Sequence, residues 1–543
     1  EWTPEGIKPE GQVDNSRAVA PGTGKRLDRI LIALLVLALA WFVFDEFYLE
    51  PLDAQRAVRD TIESATAAPD VVSVAVLPFD DLSQARDQGW FADGLAEEIL
   101  NALARIPELQ VSARTASFRY RDSELPLGQI AQELGVAYIL EGSVRSSTDR
   151  IRVTAQLIRS ADGFQVWSDD YDRPPADLIS IQEDLAESIA DALQISLDPA
   201  AVADMVAAGT RSTEAYRAYL RGIALEGGAS TRPRAEVLLE VRDQFERAVA
   251  ADPEFADAWY RLANWWLYDL MPTNVFTGLS GLSVEAATDE FERVINEAIE
   301  HAADRVDQDG YRAMKADVAG RLREAVERYD AFVKARPNQY AGWSGLMNAA
   351  MKASDTESLR RAFAWLRERG RRDLNAAITY VGNAYQHEDP SRVADYGLER
   401  MEDWPETQIL LYQVHRALLW AGRTEEAAAL VRRMDDEWGN KPLALLRQAC
   451  AEGRADDAQT IMKGSLATDG GFSWFALKLL GRDQEAEQAI APAMTSAFPY
   501  QRSMYLIYRV FDPTPFPAVM EMLERENISR PPALEIPFRC RAS

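Results

Sequence analysis

Val72-Ser-Val-Ala-Val-Leu-Pro-Phe79, followed by Gly89-Trp-Phe-Ala-Asp-Gly-Leu-Ala-Glu-Glu98, is the stretch that decides the fold of this chain. Residues 71–77 form an apolar, β-rich run stopped by Pro78, the pattern of a buried strand. Phe91, Leu95, Ile99, Leu103 and Ile106 then recur at three- and four-residue spacing up to Pro107, which predicts an amphipathic helix. Residues 109–113 read as a second short strand. Leu127, Ile130, Ala131 and Leu134 mark a second helix, closed by Gly135.

Further along, residues 138–146 and 151–160 flank a polar break at 147–150. Ile151, Val153, Ala155 and Leu157 alternate with polar residues, as a half-buried hairpin strand does. Residues 164–171 add a strand and 179–197 a last helix. Strands and helices alternate first and a meander follows, so an α/β unit with a mixed sheet is expected. Three acidic clusters stand out: Asp80-Asp81, Glu97-Glu98 and Asp169-Asp170-Tyr171-Asp172. Such carboxylates serve metal or acid/base chemistry when a suitable partner joins them. No nucleophile or histidine accompanies them in the sequence. They are expected to cap helices and solvate loops, with Glu97 and Glu98 in the exposed first turns of a helix.

With Leu140-Glu-Gly-Ser-Val-Arg145 and Trp167-Ser-Asp-Asp-Tyr-Asp172, the opening stretch resembles the TolB amino-terminal-like domain of bacterial envelope proteins. The resemblance carries over no catalytic residue and implies assembly or sensing. Such proteins commonly join a membrane segment in front of this domain to helical repeats behind it. Relatives often carry a cytoplasmic effector upstream, such as a winged-helix DNA-binding or nucleotide cyclase domain.

Residues 30–44 are fifteen in a row without a charge. A spanning helix needs about 20 apolar residues. Leu27 before the run and Phe47, Tyr48 and Leu49 after it extend the span to 27–49 if Arg29 snorkels. Lys25, Arg26 and Arg29 precede it, and Asp45, Glu46 and Glu50 follow, so the positive-inside rule places 1–26 in the cytoplasm and the main body in the periplasm. The alternative is a signal peptide cut after Ala38-Leu39-Ala40, but bulky Trp41 follows that site directly. Glu1-Trp-Thr-Pro-Glu-Gly-Ile-Lys8 resembles a stretch that follows additional hydrophobic segments in one subgroup, which implies more membrane helices upstream. Gly22-Thr-Gly-Lys25 imitates the end of a phosphate loop. Val19 replaces its first glycine and Arg26 its Ser/Thr, so that reading is rejected.

Behind the α/β unit the pattern turns helical. Phe245, Pro253, Trp259 and Leu262 recur as Tyr329, Pro337, Trp343 and Leu346, at the same intervals of eight, six and three. The pattern resembles the tetratricopeptide repeat, which implies an α-solenoid with a peptide- or protein-binding surface. A Gly-Arg-x-x-acid-Ala signature starts at Gly320, Gly422, Gly453 and Gly481. Its glycine permits a tight turn between paired helices and its alanine their close packing. The insertion 271–282 is a candidate binding loop. Trp265, Trp266 and Tyr268 are candidate partner-binding residues, set against ordinary core between repeats.

The domain order read from the sequence is therefore a cytoplasmic segment (1–26), a transmembrane helix (27–49), a stalk (50–70), a TolB-like α/β domain (71–200), a helical repeat domain (201–529) and a non-helical tail (530–543). With 59 basic against 86 acidic residues the formal net charge is −27, which disfavours nucleic-acid binding. Cys450 and Cys540 lack metal or redox spacing, leaving a disulfide or two buried thiols open. His301, His387 and His415 stand in no catalytic or metal spacing. The expected function is a membrane-anchored periplasmic interaction scaffold without enzyme activity, cofactor or metal, serving as an accessory subunit of an envelope or transporter complex. Its expected partners are membrane or periplasmic proteins. The alternative is a periplasmic sensory module of a signalling protein.

Overall fold

The computed structural model describes residues 2–3, 6–7, 72–106, 109–147, 149–193, 209–229, 235–271, 278–436, 438–465 and 470–540. The chain divides into two units, Glu1–Val71 and Val72–Ser543. Within the first, a two-residue antiparallel ladder pairs Trp2–Thr3 with Gly6–Ile7. The expected membrane helix (27–49) and stalk (50–70) lie outside the described residues. Among the described residues no helix is long and apolar enough to cross a membrane.

The second unit begins with a mixed sheet. Its strands are β1 (Val72–Val76), β2 (Asp80–Asp81), β3 (Leu109–Val111), β4 (Tyr138–Ser146), β5 (Ile151–Arg159) and β6 (Gln165–Arg173). The order is β3-β1-β4-β5-β6, with β2 also on β4. β1 runs parallel to both β3 and β4, and the β4–β5–β6 meander is antiparallel. Parallel neighbours require crossovers, which α1 (Gly89–Ala104) and α3 (Leu127–Leu134) supply, with the single turn α2 (Arg114–Ser117) between them. α4 (Leu178–Ala192) follows the meander. Phe91, Leu95, Ile99 and Leu103 of α1 are fully buried, as their spacing predicts.

A long run of helices follows, consistent with an α-solenoid. The first pairs are α5 (Thr213–Ala229) with α6 (Ala235–Ala251), α7 (Ala256–Leu270) with α8 (Val284–His301), and α9 (Arg305–Val318) with α10 (Leu322–Ala335). Next come α11 (Tyr340–Ala353) with α12 (Thr356–Arg369), α13 (Leu374–Ala384) with α14 (Pro390–Asp403), and α15 (Gln408–Trp420) with α16 (Thr424–Arg433). α17 (Lys441–Ala451) with α18 (Ala455–Ser465) and α19 (Gly470–Leu479) with α20 (Asp483–Thr495) complete the stack. Short helices α21 (Pro499–Met504) and α22 (Pro517–Arg525) precede the tail.

Both repeat signatures have a physical basis. The indoles of Trp259 and Trp343 donate to the carbonyls of Pro253 and Pro337, each at 2.8 Å, fixing the turn between one pair and the next. Gly320, Gly422, Gly453 and Gly481 all take a left-handed conformation. The following arginine donates its amide back across the turn to Ala316, Leu418, Ala449 or Leu477. Its guanidinium reaches the acid three residues on: Arg321 to Glu324 at 2.7 Å, Arg423 to Glu426 at 2.6 Å, Arg482 to Glu485 and Arg454 to Asp457. The alanines 325, 427, 458 and 486 have no exposed surface.

Candidate functional site

The conspicuous polar site lies where the α/β part meets the helical stack. α1 crosses α5 at Gly94, where a Cβ would come within 2.9 Å of the Leu220 Cβ and 3.1 Å of its carbonyl oxygen. Only glycine lets the two helices approach this closely. One turn further along α1 are Glu97 and Glu98. They are not in exposed first turns, as the sequence led us to expect. The helix starts at Gly89, so both lie in its second half, and the stack covers them.

Glu97 meets Arg114 at 2.6 Å, and burial raises its pKa against that attraction. Glu98 is 8% exposed and accepts from the Asn101 amide at 3.1 Å. Burial pushes its carboxyl up to about 7, with Asp257 adding to the push. Asp257, in the first turn of α7, faces Arg105 at 3.5 Å and accepts from the Tyr311 hydroxyl at 2.9 Å. Asp307, in the first turn of α9, is likewise buried and pushed up to about 6, although Arg105 pulls the other way. Burial acts to lower the Arg105 pKa, but Asp257 and Asp307 outweigh it and leave it raised.

The contact continues along successive pairs. Asn338, just before α11, donates to the carbonyls of Ile106 and Leu109 at 3.3 and 2.9 Å. Asp373 caps α13 and accepts from the Thr115 hydroxyl at 3.2 Å. Arg372 donates to the Gly135 carbonyl at 3.3 Å. Arg119 lies 5.9 Å from the ring of Trp404, which precedes α15. The first helices of consecutive pairs, from α5 to α13, thus hold a folded α/β domain along one face.

Other candidate residues are placed elsewhere. Trp265 and Trp266 are 4% and 5% exposed and stack edge to face at 5.1 Å. The Trp265 indole donates to Leu238 at 2.6 Å, and Arg242 covers the ring. They offer no surface to a partner, because α7 is packed by α6 on one side and α8 on the other. Tyr268 alone of the three is exposed, at 49%. Of the insertion, residues 272–277 lie outside the described residues. Its later part is pinned by Ser280, whose hydroxyl donates to Asp269 at 2.7 Å.

Asp81 accepts from the amides of Ser83 and Gln88, tying the loop ahead of α1. Asp172 pairs with Arg150 and Arg152 on the outer face of the meander, both at 2.5 Å. His415 is fully buried, and burial with Arg447 nearby pushes its pKa down to about 3. Burial, with Arg509 and Arg530, lowers His387 to about 4. His301 lies 3.6 Å from Glu297 on α8. Among the described residues no group of three or more His, Cys, Asp or Glu is arranged to hold a metal ion.

Cys450 of α17 and Cys540 of the tail form a disulfide, with Cα atoms 4.4 Å apart. The tail is extended and secured nearby by the Cys540 amide to Leu479 at 2.8 Å and by Arg539 to Asp483 at 2.6 Å. Further back, Arg323 of α10 donates to the carbonyls of Glu526 and Asn527. Lys352 of α11 is 1% exposed, pairs with Asp317 at 2.7 Å and lies 4.9 Å from the Tyr500 ring.

No family model matches the chain. Over 186 residues it is 36% identical to a Rhizobium meliloti (strain 1021) protein named "Putative adenylate cyclase 3". The match covers 34% of this chain and 31% of that protein, so the chain spans about a third of the length of the curated relative it matches.

Proposed function

We propose that the chain is a membrane-anchored periplasmic interaction scaffold of the TolB-like, tetratricopeptide-repeat kind, an accessory subunit of an envelope or transporter complex. One observation carries this reading. The first helices of the stack grip a folded domain through Gly94–Leu220, Arg105–Asp257, Asn338 and Asp373. Holding a folded domain of its own chain supports a protein-holding role for the helical stack. The Cys450–Cys540 disulfide supports an oxidising compartment. The test is mild solubilisation of membranes carrying the tagged native protein, crosslinking, and mass spectrometry of what co-purifies. A stoichiometric envelope partner is expected. Repeated recovery of the protein alone sinks the reading.

The match to the Rhizobium meliloti protein favours a second reading, a periplasmic regulatory module of a signalling protein with an upstream effector. Determining the coding sequence upstream of Glu1 separates the two. A folded cytosolic domain there favours signalling, and further hydrophobic segments favour the scaffold.

A further inference from the structure

A cleft of about 530 Å³ opens between the start of α1 and the α5–α6 hairpin. Its walls carry Trp90 from α1, Glu214, Arg217 and Arg221 from α5, and Gln244 and Arg247 from α6. A second cavity of about 430 Å³ shares Trp90 and Arg221 with it, so the cleft continues along α5. Three arginines against one glutamate give the first cavity a positive balance in a chain whose formal net charge is −27, whereas Asp87 and Asp93 line the second.

The arginines are poorly satisfied by the protein itself. Among the described residues no ion pair joins Arg217 or Arg247 to an acid, and Arg247 is exposed. Arg221 reaches Glu240 only at 3.5 Å, with both side chains about half exposed. Guanidinium groups have the planar donor geometry that carboxylates and phosphates accept in pairs. Arg217 and Arg221 are one helical turn apart on α5, and Arg247 stands on the facing helix. Trp90 adds a flat apolar face, held edge to face against Phe91 at 5.9 Å. The volume falls in the range of small-molecule sites, roughly 300–1,000 Å³.

We infer that this cleft binds a small aromatic anion, an aryl or heteroaryl phosphate or carboxylate. Its charged oxygens lie against Arg217, Arg221 and Arg247, and its ring lies on Trp90. The site joins the α/β part to the first helical pair, so an occupant touches both. The inference does not rest on the scaffold reading.

Isothermal titration of the whole protein with phenyl phosphate, benzoate, inorganic phosphate and phenol tests it. Phenyl phosphate or benzoate is expected to bind, phenol not to bind, and inorganic phosphate to bind at least about tenfold more weakly than phenyl phosphate, the loss of roughly 1.4 kcal/mol of ring contact. Arg217→Gln and Arg247→Gln are each expected to weaken aryl-anion binding about tenfold or more, as loss of a charge-assisted bond does. Trp90→Ala is expected to erase the advantage of phenyl phosphate over inorganic phosphate. Unchanged thermal midpoints check that the variants are folded. Absence of aryl-anion binding, or binding indifferent to Arg217→Gln and Arg247→Gln in folded protein, overturns the inference. Equal affinity for phenyl phosphate and inorganic phosphate reduces the site to a bare anion contact and overturns it too.

Discussion

The ring of Phe79 lies on Gly142, so close that a Cβ at position 142 would be 2.9 Å from the ring and 2.7 Å from the Thr154 carbonyl oxygen. Phe79 follows β1 and Gly142 lies in the neighbouring parallel strand β4. Two stretches far apart in the sequence are therefore the two halves of one contact. Gly142→Ala is expected to cost about 1–3 kcal/mol by overpacking, seen as a lower urea midpoint. Adding Phe79→Leu should recover only part of the loss, because the Thr154 carbonyl stays in place. An unchanged midpoint for Gly142→Ala refutes this account of the glycine.

The buried acids at the junction predict a pH dependence. The folded pKa of Glu98 is raised from 4.5 to about 7, so the folded state holds a proton the unfolded state lacks within that window. Stability then falls as pH rises from 4.5 to about 7, by up to about 3 kcal/mol for this group. Asp307 acts with the same sign between 3.8 and about 6. His387 and His415 act oppositely, since their folded values lie below 6.5 and stability is lost as pH falls beneath it. The clean comparison is Glu98→Gln against the unaltered chain at each pH. The variant should gain in relative thermal midpoint from about pH 5 to about pH 8. A constant difference across that range counts against a titrating Glu98.

Lys352 and Asp317 form a pair that α21 covers through Tyr500. Asp317→Ala strands a buried ammonium and should destabilise by about 3–5 kcal/mol. Combining it with Lys352→Met should restore most of that, because no charge is then buried. Chemical denaturation of the three variants measures both effects, and additive losses in the double variant exclude the pairing as their cause.

The disulfide closes a loop with a sequence separation of 90. In the chain-entropy account such a link is worth about 4–5 kcal/mol. Reduction should lower the thermal midpoint and speed hydrogen exchange at the Cys540 amide, which donates to Leu479. If reduction changes neither, the tail is held by its other contacts alone.

Much of this architecture was legible in the sequence, for reasons that particular residues make plain. Phe91, Leu95, Ile99 and Leu103 announce α1 because one apolar stripe needs only one helix to be read. The Gly-Arg-x-x-acid-Ala turns are equally local: glycine conformation, arginine–acid link and alanine packing all fall within six residues. Glu97 and Glu98 were misjudged because their surroundings come from Glu226, Asp257 and Arg261, far along the chain. Charged residues on a helix read as solvated until the covering element is known. Trp265 and Trp266 are the ordinary core that stood beside their partner-binding reading, since α7 is packed on two sides and buries a wider stripe than a surface helix. The arginine cleft left only one trace, Arg217 and Arg221 four residues apart, and nothing in the sequence joined them to Trp90 or Arg247.

A stack of helical pairs that touch only their neighbours deforms like a spring, each interface yielding a little. Here the segment that follows α22, residues 526–540, adds a stay across several coils. Arg323 in the third pair holds Glu526 and Asn527, residues 203 and 204 positions away. Cys540 is bonded to Cys450 near the far end. Lengthening the stack must break these ties together instead of opening one joint at a time. The chain thereby couples repeats that a plain stack leaves mechanically independent.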